Sequence, residues 1–218
     1  MITEFLPAFL AAFVTLFIVI DPIMVTPIFA TLTRGEAPAK RRRVALEAAV
    51  IAAFLLTFFG LVGNAMLHHL GISLAAFRTA GGILLFLMGF RMFFEPDGEL
   101  EAKTPGPKAS SRENIAFFPL AIPLMAGPGA IATIMLLTGA PEASLIERSA
   151  AFAAMLSVLL SGVVIMAFAS SIADALGRTG MNVISRLLGM LLMALSTQYV
   201  FDGIRVGMLE QISAPAGA

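Results

Sequence analysis

Cysteine is absent from this chain of 218 residues. That absence excludes disulfides, thiolate metal sites and cysteine redox chemistry. Charge is scarce too: Asp, Glu, Lys and Arg make up 13% of residues, about half of the roughly 25% usual in a water-soluble domain. The 14 basic and 14 acidic side chains cancel, so no basic excess points to nucleic acid. What fills the chain instead is apolar, 59% of residues with a mean hydropathy of +0.94. This is the composition of an integral membrane protein, in which lipid replaces water around most of the chain.

About 20 apolar residues cross the hydrocarbon core. Six stretches qualify: Phe5 to Thr33, Val44 to Met66, Ile72 to Phe94, Ile115 to Gly139, Ser149 to Ile172 and Val183 to Ile204. The expected fold class is therefore all-α and membrane-spanning. The opening "MITEFLPAFL" has no positive n-region and no small-residue cleavage pattern after it. It is expected to be the first membrane helix, retained in the mature chain. One polar, Pro- and Gly-rich linker, Glu95 to Asn114, separates two halves of three spans each, 1–94 and 115–218, within one transmembrane domain.

The cations are unevenly distributed. Arg34, Lys40, Arg41, Arg42, Arg43, Arg91, Lys103, Lys108, Arg112 and Arg178 fall on one side of the expected spans, and only Arg148 and Arg205 on the other. The positive-inside rule places the first side in the cytoplasm and both termini in the periplasm of a bacterial inner membrane. "KRRR" at 40–43 then reads as a topology signal in contact with lipid headgroups.

The first span contains "DPIMVTP" (Asp21 to Pro27), and the fourth contains "PLMAGPG" (Pro123 to Gly129). Both read Pro, aliphatic, Met, two variable residues, Pro, at an offset of 101 residues, 22 to 123. A weaker match joins Arg78-Thr79-Ala80-Gly81 to Arg186-Leu187-Leu188-Gly189. Two copies of a three-span unit enter the membrane from opposite sides and are related by a pseudo-two-fold axis in its plane. Inverted repeats with Pro- or Gly-interrupted helices at corresponding places are the best sequence pointer to a transporter site.

Proline removes an amide donor and clashes with the carbonyl four residues earlier. In hydrocarbon each unsatisfied backbone group costs several kcal/mol, roughly, so helices broken here must face protein or a wet cavity. A break also exposes helix ends: N–H groups suited to a carboxylate, and carbonyls suited to an ammonium group or a small cation. An α-amino acid carries both charges. The candidate substrate-binding residues are accordingly Asp21, Pro22, Thr26, Pro27, Pro123, Gly127, Pro128, Gly129 and Thr133.

Each has a plainer reading beside the functional one. Asp21, near mid-membrane, either contacts a substrate ammonium, Na⁺ or H⁺, or caps the helix after Pro22 and pairs with an arginine. Thr26, Thr31 and Thr133 either meet substrate or satisfy freed backbone groups. Arg78 and Arg186 either snorkel to an interface or pair with Asp21 or a substrate carboxylate. Arg43–Glu47 and Asp202–Arg205 read as interfacial pairs, and His68 and His69 as exposed histidines with no metal between them. Gly81, Gly82, Gly89, Gly189, Gly203 and Gly207 are expected to permit close helix packing. The methionines and phenylalanines read as lipid- and core-facing filler.

"FIVIDPIMVTPIFATLT", "FRTAGGILLFLMGFRM" and "PLAIPLMAGPGAIAT" resemble, in order and over nearly the whole chain, the MarC family of bacterial inner-membrane proteins. The resemblance implies transport, with small neutral amino acids such as glycine and alanine as the substrate class. No Walker motif, Gly-x-Ser-x-Gly elbow or His-Glu-x-x-His helix is present. The expectation is a secondary transporter and not an enzyme. It needs no cofactor, uses Na⁺ or H⁺ as coupling ion, and has lipid and a small-molecule substrate as partners; a homo-oligomer is compatible with it. An exporter of another small solute and a non-transporting membrane scaffold are the alternatives.

Overall fold

The computed structural model describes residues 2–33, 35–94, 115–140 and 142–213. The linker 95–114, with Lys103, Lys108 and Arg112, lies outside the described residues, as do Arg34 and the side chains of Pro27, Thr31, Pro123 and Arg178. Every regular element among the described residues is helical: α1 Ile2–Ile20, α2 Pro22–Leu32, α3 Pro38–His69, α4 Leu74–Phe94, α5 Ala116–Met125, α6 Pro128–Gly139, α7 Leu145–Ala167 and α8 Ala169–Ser213.

Helices α3, α4, α7 and the Asn182–Leu209 part of α8 are each long and apolar enough to cross a membrane. Helices α1 and α2 make a fifth span if taken together, bent by about 40° at Asp21. With 12 residues, α6 is too short to cross alone.

Several helix starts are legible in local sequence. Pro22, Pro38 and Pro128 each begin a helix, where the missing N–H is one that would have no partner anyway. Ser144 and Glu147 form a reciprocal capping box at the start of α7. That box moves the fifth span four residues upstream of its expected start at Ser149, and α7 ends at Ala167 instead of Ile172. The sixth span differs more. Helix begins again at Ala169, and only Gly177, at φ 60° and ψ 178°, interrupts it before the expected start at Val183. Glycine adopts that left-handed turn without the β-carbon clash that other residues meet.

Packing relies on small residues, as expected where lipid removes the usual hydrophobic drive between helices. Helix α7 buries Ala150, Ala151, Ala154, Val158 and Gly162 along one stripe. Helix α3 buries Ala45, Ala48, Ala49, Ala52 and Leu56 at the same spacing. Helices α1 and α2 pack on α7, α5 and α6 pack on α3, and α3 packs on α7. Helix α4 pairs with α8 over the longest interface in the molecule. The two run antiparallel: Gly82 meets Ser196 and Val200, Gly89 meets Gly189 and Met193, and Gly203 meets Thr79 and Ala75. A β-carbon at Gly89 would lie 2.7 Å from the carbonyl oxygen of Gly189, and one at Gly189 would lie 2.8 Å from that of Gly89. Only glycine at both positions permits this crossing.

Candidate functional site

The first break is a single residue wide. Asp21 stands at φ 47°, a left-handed conformation that Asp tolerates better than most residues. Its amide still donates to Phe17 O at 3.0 Å, closing α1, while its own carbonyl accepts from Met24 N at 3.1 Å and Val25 N at 3.3 Å, opening α2. Its Oδ1 accepts a second bond from Met24 N at 3.2 Å, the geometry of an N-cap. The residue is 3% exposed.

The second break is built differently. Pro119 and Pro123 withdraw two amide donors four residues apart, and α5 widens to π-helical bonding: Leu120 N donates to Ile115 O, and Ala126 N to Ala121 O at 2.8 Å. Ala126 then leaves the helix at φ −111°, ψ 52°, and extended Gly127 precedes Pro128, the first residue of α6. No side chain caps α6. The amides of Gly129 and Ala130 therefore have no acceptor within their helix or on a cap side chain.

The matched proline motifs thus do not break at matched prolines. The first half breaks before its first proline, Pro22, and continues in helix through Pro27. The second breaks before its second proline, Pro128. Gly127 accounts for the later break, since it takes the extended turn where Thr26, at the corresponding place, donates its hydroxyl to Pro22 O at 3.0 Å and stays helical.

Both breaks open on one cavity of about 530 Å³. Asp21 lines it from the first half, and Gly127, Pro128, Gly129 and Ala130 from the second. Helix α4 contributes Leu84, Leu87, Met88, Arg91 and Met92 to the wall of this partly open cavity. Gly129 packs tightly here: a β-carbon would lie 2.8 Å from the Leu85 side chain, which would have to shift, and 3.5 Å from Val19.

Other candidates sit elsewhere. Pro22 is buried against Gly162 of α7. Thr26 is fully buried behind the wall, with its hydroxyl bonded to backbone. Thr133 is also fully buried and does not line the cavity, and its hydroxyl has no hydrogen-bond partner among the described residues. Pro27 and Pro123 can be located by backbone alone.

Arg78 and Arg186 do not come together and neither lines the cavity. Arg186 is exposed, whereas Arg78 is half-buried near Tyr199. At the α4–α8 crossing Gly89 meets Gly189 and Met193, and Gly189 meets Gly89 and Phe93, so that 89 answers to 189 and 93 to 193 at an offset of 100, not the 108 that joins Arg78 to Arg186.

Arg91 and the methionines were missed as wall residues. Arg91 counted only as a topology signal, and Met24, Met88 and Met92 as filler, yet all four line the cavity. The one available signal was Met24 itself, which recurs as Met125 in the repeated motif. Elsewhere Arg43 pairs with Glu47 at 2.7 Å, as its spacing predicts. Asp202 accepts from Gln198 at 3.0 Å, and no Asp202–Arg205 ion pair forms among the described residues.

Residues 6–208 match the model of the MarC family integral membrane proteins. A UPF0056 membrane protein of Aquifex aeolicus is 36% identical, with 93% of this chain and 94% of that protein covered. The UPF0056 membrane protein YvbG of Bacillus subtilis is 32% identical over 93% and 96%, and YhcE of Escherichia coli 33% identical over 91% and 93%. No solved structure matches the chain. A multi-pass membrane chain with both proline motifs, matched by that family model from its first helix to its last, belongs to the MarC family.

Proposed function

We propose that this chain is a secondary transporter of neutral amino acids in the bacterial inner membrane, working by alternating access around its two helix breaks. The carrying observation is that breaks from opposite halves of the chain open on one cavity and offer it opposite charge. Asp21 supplies a carboxylate. The start of α6 supplies amides with no acceptor in their own helix or on a cap side chain, and the positive end of a helix dipole. A zwitterion bound between them would place its ammonium toward Asp21 and its carboxylate toward Gly129 and Ala130. Na⁺ or H⁺ at Asp21 is the natural coupling ion.

The reading includes six spans in two inverted halves, with α5 and α6 together as the fourth. Two features support it. Helices α1 and α2 pack on α7 as α5 and α6 pack on α3, which is the pairing that exchange of the halves requires. The reciprocal crossing of Gly89 and Gly189 has the form expected on a two-fold axis, and its offset of 100 lies beside the 101 of the proline motifs. Halves that rock about this crossing would open the cavity alternately to either side.

Counterflow into proteoliposomes tests the proposal. Labelled neutral amino acids, with glycine and alanine as the smallest members of the panel, should accumulate against an unlabelled internal pool. Folded protein that exchanges none of them overturns it.

A further inference from the structure

The cavity is larger than the two charges of an α-amino acid require. About 530 Å³ lies within the range of pockets that enclose drug-sized ligands, roughly 300–1,000 Å³, and far exceeds what glycine or alanine fills. Beyond Asp21 the walls are aliphatic and thioether: Met24, Val25 and Ile28 from α2, and Leu84, Leu87 and Met88 from α4. Methionine side chains are unbranched and polarizable, so they adjust to apolar groups of varied shape. Among the described residues Arg91 is the one cationic side chain on the wall, three residues from the end of α4.

We infer that this site selects amino acids with large, uncharged, apolar side chains, the leucine, methionine and phenylalanine class, over glycine and alanine. The inference rests on the transport reading above and adds the side-chain specificity of the same cavity. A small substrate would leave the apolar walls either wetted or empty, and so gain nothing from them. A large apolar side chain covers them, and each added methylene in such a pocket is worth roughly a tenfold preference or more. Arg91 disfavours lysine and arginine by like-charge repulsion as they enter.

Competition in the counterflow assay decides it. Unlabelled leucine, methionine and phenylalanine should each inhibit exchange of labelled alanine at concentrations about tenfold or more below those needed with glycine, and lysine should not inhibit. Leu87→Trp fills the chamber from a half-exposed position on α4. It should weaken competition by leucine about tenfold more than competition by glycine. Exchange confined to glycine and alanine, or equal inhibition by small and large side chains, overturns the inference and leaves the transport reading standing. Exchange of no amino acid overturns both. If Leu87→Trp fails to fold, Met88→Ala supplies the second variant. It enlarges the chamber and should raise the preference for phenylalanine over leucine, and an unchanged ratio counts against the inference.

Discussion

Different substitutions separate the structural role of Asp21 from its proposed one. Its left-handed backbone and its cap to Met24 N belong to the fold; its carboxylate on the cavity wall is the group that the proposed transport would use. Asparagine also tolerates the left-handed region and caps helices as well as aspartate. Asp21→Asn should therefore leave thermal stability nearly unchanged in detergent while abolishing concentrative uptake, with exchange surviving. Asp21→Ala should lose the cap as well and carry a β-carbon with no compensating bond, at a cost of about 1–2 kcal/mol. Concentrative uptake unaltered in the asparagine variant would reduce the residue to a cap. Thr26 shows the opposite division: its hydroxyl is spent on Pro22 O behind the wall. Its position beside the break suggested substrate contact, but only the helix rotation reveals which way the side chain faces.

Among elements, the α4–α8 pair carries the sharpest steric constraint. Gly89→Ala and Gly189→Ala each drive a β-carbon to within 2.8 Å of a backbone oxygen that has no rotamer by which to withdraw. Each should destabilise by about 1–3 kcal/mol, read as a lower melting temperature. Gly207→Ala is the control. Its β-carbon would meet only Ala75 Cβ at 3.6 Å, an ordinary contact, and alanine improves helix propensity by up to about 1 kcal/mol. Equal losses at all three positions would mean that the Gly89–Gly189 crossing is not the close point of the interface. The helix breaks differ in the same concrete way. A capping carboxylate closes the start of α2, whereas Gly127 leaves the start of α6 open.

For the whole molecule, orientation and alternating access are the claims at stake. The native chain has no cysteine, so a single introduced thiol reports without background. Glu142, exposed between α6 and α7, and Lys40, exposed in the first turn of α3, fall on opposite sides under the positive-inside rule. In intact cells an impermeant maleimide should label Glu142→Cys and spare Lys40→Cys until the membrane is opened. The reverse pattern would invert the topology and with it the side to which Arg91 is assigned.

Membrane residence, the all-helical class and both interruptions follow from composition and from proline chemistry, because each is a local or additive property of the residues themselves. The uneven spread of Arg and Lys and the recurrence of Pro-x-Met-x-x-Pro are likewise readable without coordinates. Tertiary structure shows which proline breaks each helix: Thr26 bonds back to Pro22 O and keeps the first motif helical, where Gly127 takes an extended turn in the second. It also decides the register of the α4–α8 crossing, where steric exclusion of a β-carbon pairs Gly89 with Gly189 and separates Arg78 from Arg186. Arg91 and the methionines join the wall for the same reason: a cavity is bounded by residues distant in the chain, and only the rotation of each helix about its axis turns a side chain toward it.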